Sequence, residues 1–129
     1  MANRLVALLS CLLLLSANAQ QYSFIQYSIE QGLPQTQVSS IIQDSQGYLW
    51  IGSVGGVSKF NGIEFQNFSK ADGLLDNQVN CLLSDQNETI WLGCNGGLSS
   101  ISGTDIHSYN LTGEHADASI RCLYLDDEY

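Results

Sequence analysis

The chain has 129 residues, 44% of them hydrophobic, and carries a formal net charge of −9 at pH 7. Its 4 Lys and Arg residues, set against 13 Asp and Glu residues, form no basic surface for nucleic acid or for an anionic membrane. The sequence therefore predicts neither kind of partner, and its length suits one small domain.

Residues 1–19 have the pattern of a signal peptide. A short positive start ends at Arg4, an apolar run follows over residues 5–15, and residues 17–19 have the small-x-small pattern that signal peptidase accepts. The apolar run is too short to span a bilayer comfortably, which disfavours a retained anchor. We therefore expect export to the periplasm, with residues 20–129 as the mature part.

Beyond this segment the sequence repeats itself with a period of 41 residues. Three pairs of identical residues keep this spacing: Trp50 and Trp91, Gly52 and Gly93, and Gly56 and Gly97. Periods of this size are typical of solenoids, propellers and related arrays.

Each period divides into four short apolar segments separated by turn residues, which indicates β-strands and not helices. In the first period these segments are residues 38–43, 48–53, 57–60 and 63–68. Asn61-Gly62, between the last two, is a strong signal for a tight hairpin. Four antiparallel strands in every period are the content of one β-propeller blade.

The predicted fold class is all-β, a partial β-propeller with two four-stranded antiparallel blades and single strands of flanking blades. The predicted parts are a leading strand at 22–29, blades at 32–70 and 73–111, and the start of a third blade at 119–129. Two blades cannot close a ring, so we expect this sequence to be part of a longer protein.

The repeated tryptophans are expected to pack between blades, and the repeated glycines to permit tight turns or close approach of a neighbouring strand. Residues 49–51 are apolar on both faces of their strand, and such a strand must be covered on both sides. All six repeated residues are thus predicted to have structural roles.

Residues 32–62, GLPQTQVSSIIQDSQGYLWIGSVGGVSKFNG, resemble the two-component regulator propeller repeat. The pattern of that repeat, roughly G-L-x-x-x-x-V-x-x-I-x-x-D-x-x-G-x-L-W-I-G-T-x-x-G-L, is met with Ser53 and Val57 as mild departures. The second period keeps most of the pattern but has Glu88 where the turn glycine stands. The resemblance extends over essentially the whole mature chain.

This resemblance implies the periplasmic sensor region of a bacterial hybrid histidine kinase, in a two-component signal transduction system. In such receptors the propellers precede a β-sandwich, a membrane helix and the kinase, and the best-known ligands are oligosaccharides. The implied partners are an oligosaccharide, the remainder of the receptor chain and a second receptor in a dimer. The present sequence would stop before the membrane and kinase parts, so we expect no enzyme activity and no cofactor in it.

The resemblance also implies where a ligand would bind. The loops before each first strand and between the second and third strands share one propeller face; they are residues 33–37, 74–78, 54–55 and 94–95. The candidate ligand-binding side chains in these loops are Gln35, Gln37, Asn77, Gln78 and Asn95. Ordinary turn and capping chemistry is the alternative role for each of them.

Two other functions remain open at this stage. A protein-interaction scaffold without signalling would use the same fold. A propeller glycosidase or lyase would need paired carboxylates at a central pocket, and no such pair is identifiable. Asp44 lies one residue further from its glycine and tryptophan than in sialidase Asp-boxes. No Cys-x-x-Cys motif or His cluster predicts a metal site either.

Overall fold

The computed structural model describes residues 22–126, which contain two four-stranded antiparallel sheets. The first sheet consists of β1 (Val38–Gln43), β2 (Leu49–Ser53), β3 (Gly56–Phe60) and β4 (Phe65–Phe68). The second consists of β5 (Val79–Ser84), β6 (Ile90–Cys94), β7 (Gly97–Ser102) and β8 (Asp105–Asn110). In both sheets each strand pairs with the next strand along the chain, which confirms the all-β prediction.

The fourth strand of the first sheet begins two residues later than the sequence pattern predicted. The side-chain oxygen of Asn61 accepts hydrogen bonds from the amides of Ile63 and Glu64, both at 2.9 Å. Because the turn already uses these amides, the ladder with β3 begins only at Phe65, opposite Phe60.

Residues 22–126 also contain three single turns of 3-10 helix that were not predicted: Ile29–Gln31 before β1, Lys70–Asp72 between β4 and β5, and Gly113–His115 after β8. Ser28 and Ser69 cap the first two, each in a reciprocal capping box. Each of those two turns ends at a glycine with positive φ, which joins it to the following loop. Among residues 22–126 there is no helix with the length and apolar character needed to cross a membrane.

The hydrophobic core lies between the two sheets. The strand registers place Ile42, Trp50, Val57 and Phe68 on one face of the first sheet, and Leu82, Ile90, Leu92, Ile101 and Ile106 on one face of the second. These residues form one cluster, in which Val57 and Leu92 have no exposed surface. A Cβ atom at Gly52 would meet the Val79 side chain at 2.9 Å, so a larger residue there would force the sheets apart.

Both tryptophans occupy the same position within their own sheet. The Trp50 indole nitrogen donates to Asp44 at 2.8 Å, and that of Trp91 donates to Asp85 at 2.9 Å. Trp50 also stacks on Phe68 in the fourth strand of its sheet, with the ring centroids 6.0 Å apart. The surroundings differ beyond the sheet: Trp50 is covered by the second sheet, whereas Trp91 is only partly buried.

The aspartate that precedes each tryptophan organises the first hairpin of each sheet. Burial alone would raise the pKa of Asp85, but hydrogen bonds from the Trp91 indole and from the Thr89 and Asn87 amides together lower it below its ordinary value. The negative charge of Asp85 therefore stabilises the folded hairpin above the ordinary aspartate pKa, and this contribution is lost as the pH falls through the lowered pKa.

The predicted flanking strands are present only as segments outside the two sheets. Residues 22–28 form no strand, although Tyr27 contacts Phe60 edge-on, with the ring centroids 5.0 Å apart. Residues 119–126 also form no strand; Ile120 donates its amide to the Cys94 carbonyl at 3.0 Å. In residues 22–126, no strand other than the eight strands of the two sheets lies beside either segment. The predicted signal peptide at 1–19 lies outside the described residues.

Candidate functional site

A β-bulge at the start of the first strand of each sheet, β1 and β5, turns one polar side chain out of the regular ladder. In the pairing of β1 with β2 the register shifts between Val38 and Ser40, which leaves Ser39 without an opposite residue. The same shift in the second sheet leaves Asn80 without one. Bulges re-aim side chains and are common beside functional sites. Ser39 and Asn80 are 41 residues apart, so the repeat places them equivalently.

These two bulges open onto a cavity of about 320 Å³, which we call the polar cavity. Its lining residues are Ser39, Gln78, Asn80, Asn95, Ser119 and Arg121. They come from the first sheet, from the second sheet with its loops, and from the segment after β8. The cavity therefore lies where the two sheets meet the segment after β8.

Hydrogen bonds between lining side chains hold the polar cavity in shape. The Asn95 side-chain oxygen accepts from the Ser119 hydroxyl at 2.7 Å and from the Asn80 amide at 3.2 Å. The Ser39 hydroxyl donates to the Val79 carbonyl of the neighbouring sheet. Because the Ser39 and Ser119 contacts join the second sheet to the first sheet and to the segment after β8, the cavity depends on how these parts pack together.

The lining chemistry consists of two hydroxyls, three carboxamides and one guanidinium. The hydroxyls and carboxamides both donate and accept hydrogen bonds and the guanidinium donates them, so together they suit a ligand rich in hydroxyl groups. Among residues 22–126 no three His, Cys, Asp or Glu side chains are grouped closely enough to hold a metal ion. Burial raises the pKa of the Cys94 thiol to about 11 and also raises the pKa of Cys81, so both remain protonated near neutral pH.

Two of the five predicted ligand-binding residues line the polar cavity, namely Gln78 and Asn95. The other three, Gln35, Gln37 and Asn77, do not line it. Asn77 accepts a hydrogen bond from the Lys70 amide at 2.7 Å, which is the capping role named as its alternative. Gln35 lies against Gly55, so it fills the space beside the second hairpin turn.

Sequence reasoning missed four lining residues, which are Ser39, Asn80, Ser119 and Arg121. A signal for three of them was present. Positions 39, 80 and 121 are equivalent in the 41-residue register and hold Ser, Asn and Arg, while the preceding position holds Val, Val and Ile. A polar position that changes from repeat to repeat beside a constant apolar one indicates a surface that each repeat can vary.

Other cavities fit a ligand less well. One of about 410 Å³ lies at the outer strands of the first sheet, where Lys59 and Glu64 supply opposite charges. Another of about 380 Å³ is apolar and lies beside Trp91, on the face of the second sheet equivalent to the one that the first sheet buries. The polar cavity differs from both because Gln78 and Asn95, from loops on the predicted ligand face, line it.

Comparison with known proteins agrees with the repeat structure. The family model described as two component regulator propeller matches residues 32–55 and 73–96. No curated protein matches the sequence significantly.

Several solved structures from B. thetaiotaomicron are similar. The extracellular domain of BT3049, assigned as a hybrid two component system, shares 26% identity over 71% of this chain and 14% of its own, with a TM-score of 0.61. The extracellular domain of BT4673, assigned as a one component system in one structure, shares 26% identity over 81% of this chain and 15% of its own, with a TM-score of 0.63. In another structure BT4673 is assigned as a hybrid two component system, with 28% identity, coverage of 78% and 14%, and a TM-score of 0.61.

The chain thus spans about one seventh of the length of these sensor domains, that is 14–15%. Each matched segment begins at the glycine before a sheet and runs into the turn after its second strand. Two segments of the chain thus match the two-component regulator propeller model, and each contributes the first two strands of one four-stranded antiparallel sheet.

Proposed function

We propose that this chain is part of the ligand-sensing propeller of a two-component sensor. In this proposal the chain acts in the periplasm, and its ligand is an oligosaccharide. The observation that carries the proposal is the polar cavity, which two propeller repeats and the segment after them build together. The structural similarity to extracellular domains of two-component systems supports the sensor role. The kinase output would belong to the remainder of the receptor chain, with a dimer as the full-length form.

An oligosaccharide fits the chemistry of the polar cavity. Sugar hydroxyls both donate and accept hydrogen bonds, and so do the carboxamides of Gln78, Asn80 and Asn95. The cavity is open to solvent and has no deep apolar wall, which favours an extended polar ligand over a compact apolar one.

Binding could be transmitted because residues of both sheets and of the segment after β8 line the polar cavity. A ligand that contacts Ser39, Asn80 and Arg121 touches three successive repeats at once. Such a ligand stabilises whichever arrangement of the repeats gives it the best contacts, and a receptor equilibrium shifts by that difference in affinity. No covalent step is required of this chain.

A binding experiment with a matched control tests the proposal. The full chain is titrated calorimetrically with a panel of plant and host-derived oligosaccharides, and Gln78→Ala is compared with Gln37→Ala. The two glutamines are equivalent in the repeat, but only Gln78 lines the polar cavity. We expect Gln78→Ala to weaken binding about tenfold, the loss of one or two hydrogen bonds, and Gln37→Ala to leave it unchanged.

Two results would contradict the proposal. Absence of binding to every oligosaccharide would remove the ligand class, and an equal effect of the two substitutions would remove the polar cavity as its site. Export is tested separately by fusing residues 1–25 to alkaline phosphatase, which is active only in the periplasm; an inactive fusion would refute the periplasmic location.

A further inference from the structure

We propose that the ligand of the polar cavity carries an anionic group, a carboxylate or a sulfate, and that Arg121 binds it. This inference rests on the proposed function and adds the chemical class of the ligand. It assigns a specificity-determining role to a residue outside the loops that the sequence pattern singled out.

The charge balance of the chain makes Arg121 unusual. The whole sequence has 4 Lys and Arg residues and a net charge of −9, and Arg121 supplies the positive charge in the lining of the polar cavity. No carboxylate among residues 22–126 belongs to the lining of the polar cavity. By contrast, Lys59 shares one cavity with Glu64 and another with Asp44 and Glu88.

The repeat register shows that the arginine is a feature of one repeat and not of the fold. The equivalent positions hold Ser39 and Asn80, which are shorter and neutral and which the β-bulges also turn toward the polar cavity. The fold therefore needs no cation at this position. A guanidinium there adds a planar fork of donors that matches a carboxylate or a sulfate in two parallel hydrogen bonds.

The other side chains that line the polar cavity determine which ligand groups can lie beside the anionic group. The five other side chains are neutral hydroxyls and carboxamides, which offer hydrogen bonds to hydroxyl groups and no second positive charge. A ligand with one acidic group among several hydroxyls satisfies all of them, as a uronate-containing or singly sulfated oligosaccharide does. A polyanion would meet one cation only and would be repelled by the acidic remainder of the chain.

Matched ligands test this inference. The full chain is titrated with three forms of a disaccharide of one linkage: neutral, uronate-terminated and singly sulfated. The variants are Arg121→Gln, Arg121→Lys and, as a control cation that does not line the polar cavity, Lys70→Gln. The neutral and acidic forms are compared at low and at high salt.

We expect Arg121→Gln to weaken binding of one acidic form about tenfold to a hundredfold and to leave the neutral form unaffected. Arg121→Lys should retain part of the affinity, Lys70→Gln should retain all of it, and only the acidic form should bind less tightly at high salt. Which acidic form responds identifies a carboxylate or a sulfate as the group bound.

The possible failures are distinguishable. If neutral and acidic forms bind equally, or if Arg121→Gln changes neither, the anion inference is wrong while oligosaccharide binding stands. If no form binds and the wider oligosaccharide panel also gives no binding, the proposed function fails and the inference fails with it. Circular dichroism of each variant verifies that the sheets are intact.

Discussion

Replacing each repeated tryptophan by alanine tests whether the space between the two sheets is the main core of the described chain. Trp50 and Trp91 each donate the indole hydrogen bond to an aspartate of their own sheet, and each packs on an aromatic residue of the fourth strand, Phe68 or Tyr109. They differ in burial: Trp50 packs against the second sheet and is 4% exposed, whereas Trp91 lines an open apolar cavity. The pair therefore isolates the burial between sheets from the hydrogen bond.

We expect Trp50→Ala to lower the free energy of unfolding by about 3–5 kcal/mol, the usual cost of truncating a buried aromatic residue. Trp91→Ala should cost about 2 kcal/mol, because it loses a similar hydrogen bond but less buried area. Urea unfolding followed by far-UV circular dichroism measures both, since fluorescence would lose one of the two tryptophans in each variant.

Equal losses for the two substitutions would refute the reasoning, because packing between the sheets would then add nothing. If Trp50→Ala does not fold, Trp50→Phe provides the comparison. It keeps a ring stacked on Phe68 and should fold with a smaller loss than the alanine variant.

Three further predictions concern turns and titratable groups. In urea unfolding, Gly56→Ala should destabilise the chain by more than about 2 kcal/mol, because φ is +120° and a Cβ atom would overlap a backbone carbonyl. Gly103→Ala should cost about 1 kcal/mol, because a Cβ atom there has open space around it. Asp85→Asn should reduce the loss of stability on acidification, since the stabilisation by the charged Asp85 is complete above the ordinary aspartate pKa and is lost as the pH falls through its lowered pKa. At pH 8 a thiol reagent should label exposed Cys122 rapidly and buried Cys94 only on unfolding, because burial raises the pKa of Cys94 to about 11.

Each of these has a contrary outcome. Similar losses for the two glycine substitutions would show that the close approach at Gly56 is relieved without cost. An unchanged acid profile in Asp85→Asn would mean that the hydrogen bonds to this side chain do not depend on its charge. Equal labelling rates for Cys122 and Cys94 would show that the second sheet opens readily.

Much of the fold was predictable because its signals are local. β1 was predicted at residues 38–43 and is observed as Val38–Gln43, since a short segment with apolar residues and a turn aspartate after it define the strand without reference to the rest of the chain. The late start of β4 was not predicted, because it depends on where the Asn61 side chain bonds.

The candidate site was predictable only in part. Gln78 and Asn95 were predicted because both are polar residues in loops on one propeller face. Asn80 was not, because a strand position next to apolar residues gives no local sign that a bulge will turn it into a cavity. Arg121 was not predicted for a similar reason, because it lies near the other lining residues only when the segment after β8 packs beside the second sheet.

The sequence by itself determined the 41-residue period, the four strands in each period and the face on which loops gather, because backbone geometry and turn chemistry act over a few residues. Only the tertiary structure decided which side chains share the polar cavity, and that Trp50 is covered where Trp91 is partly exposed. These outcomes depend on how one sheet packs against the next, and packing joins residues that are about 40 positions apart in the chain.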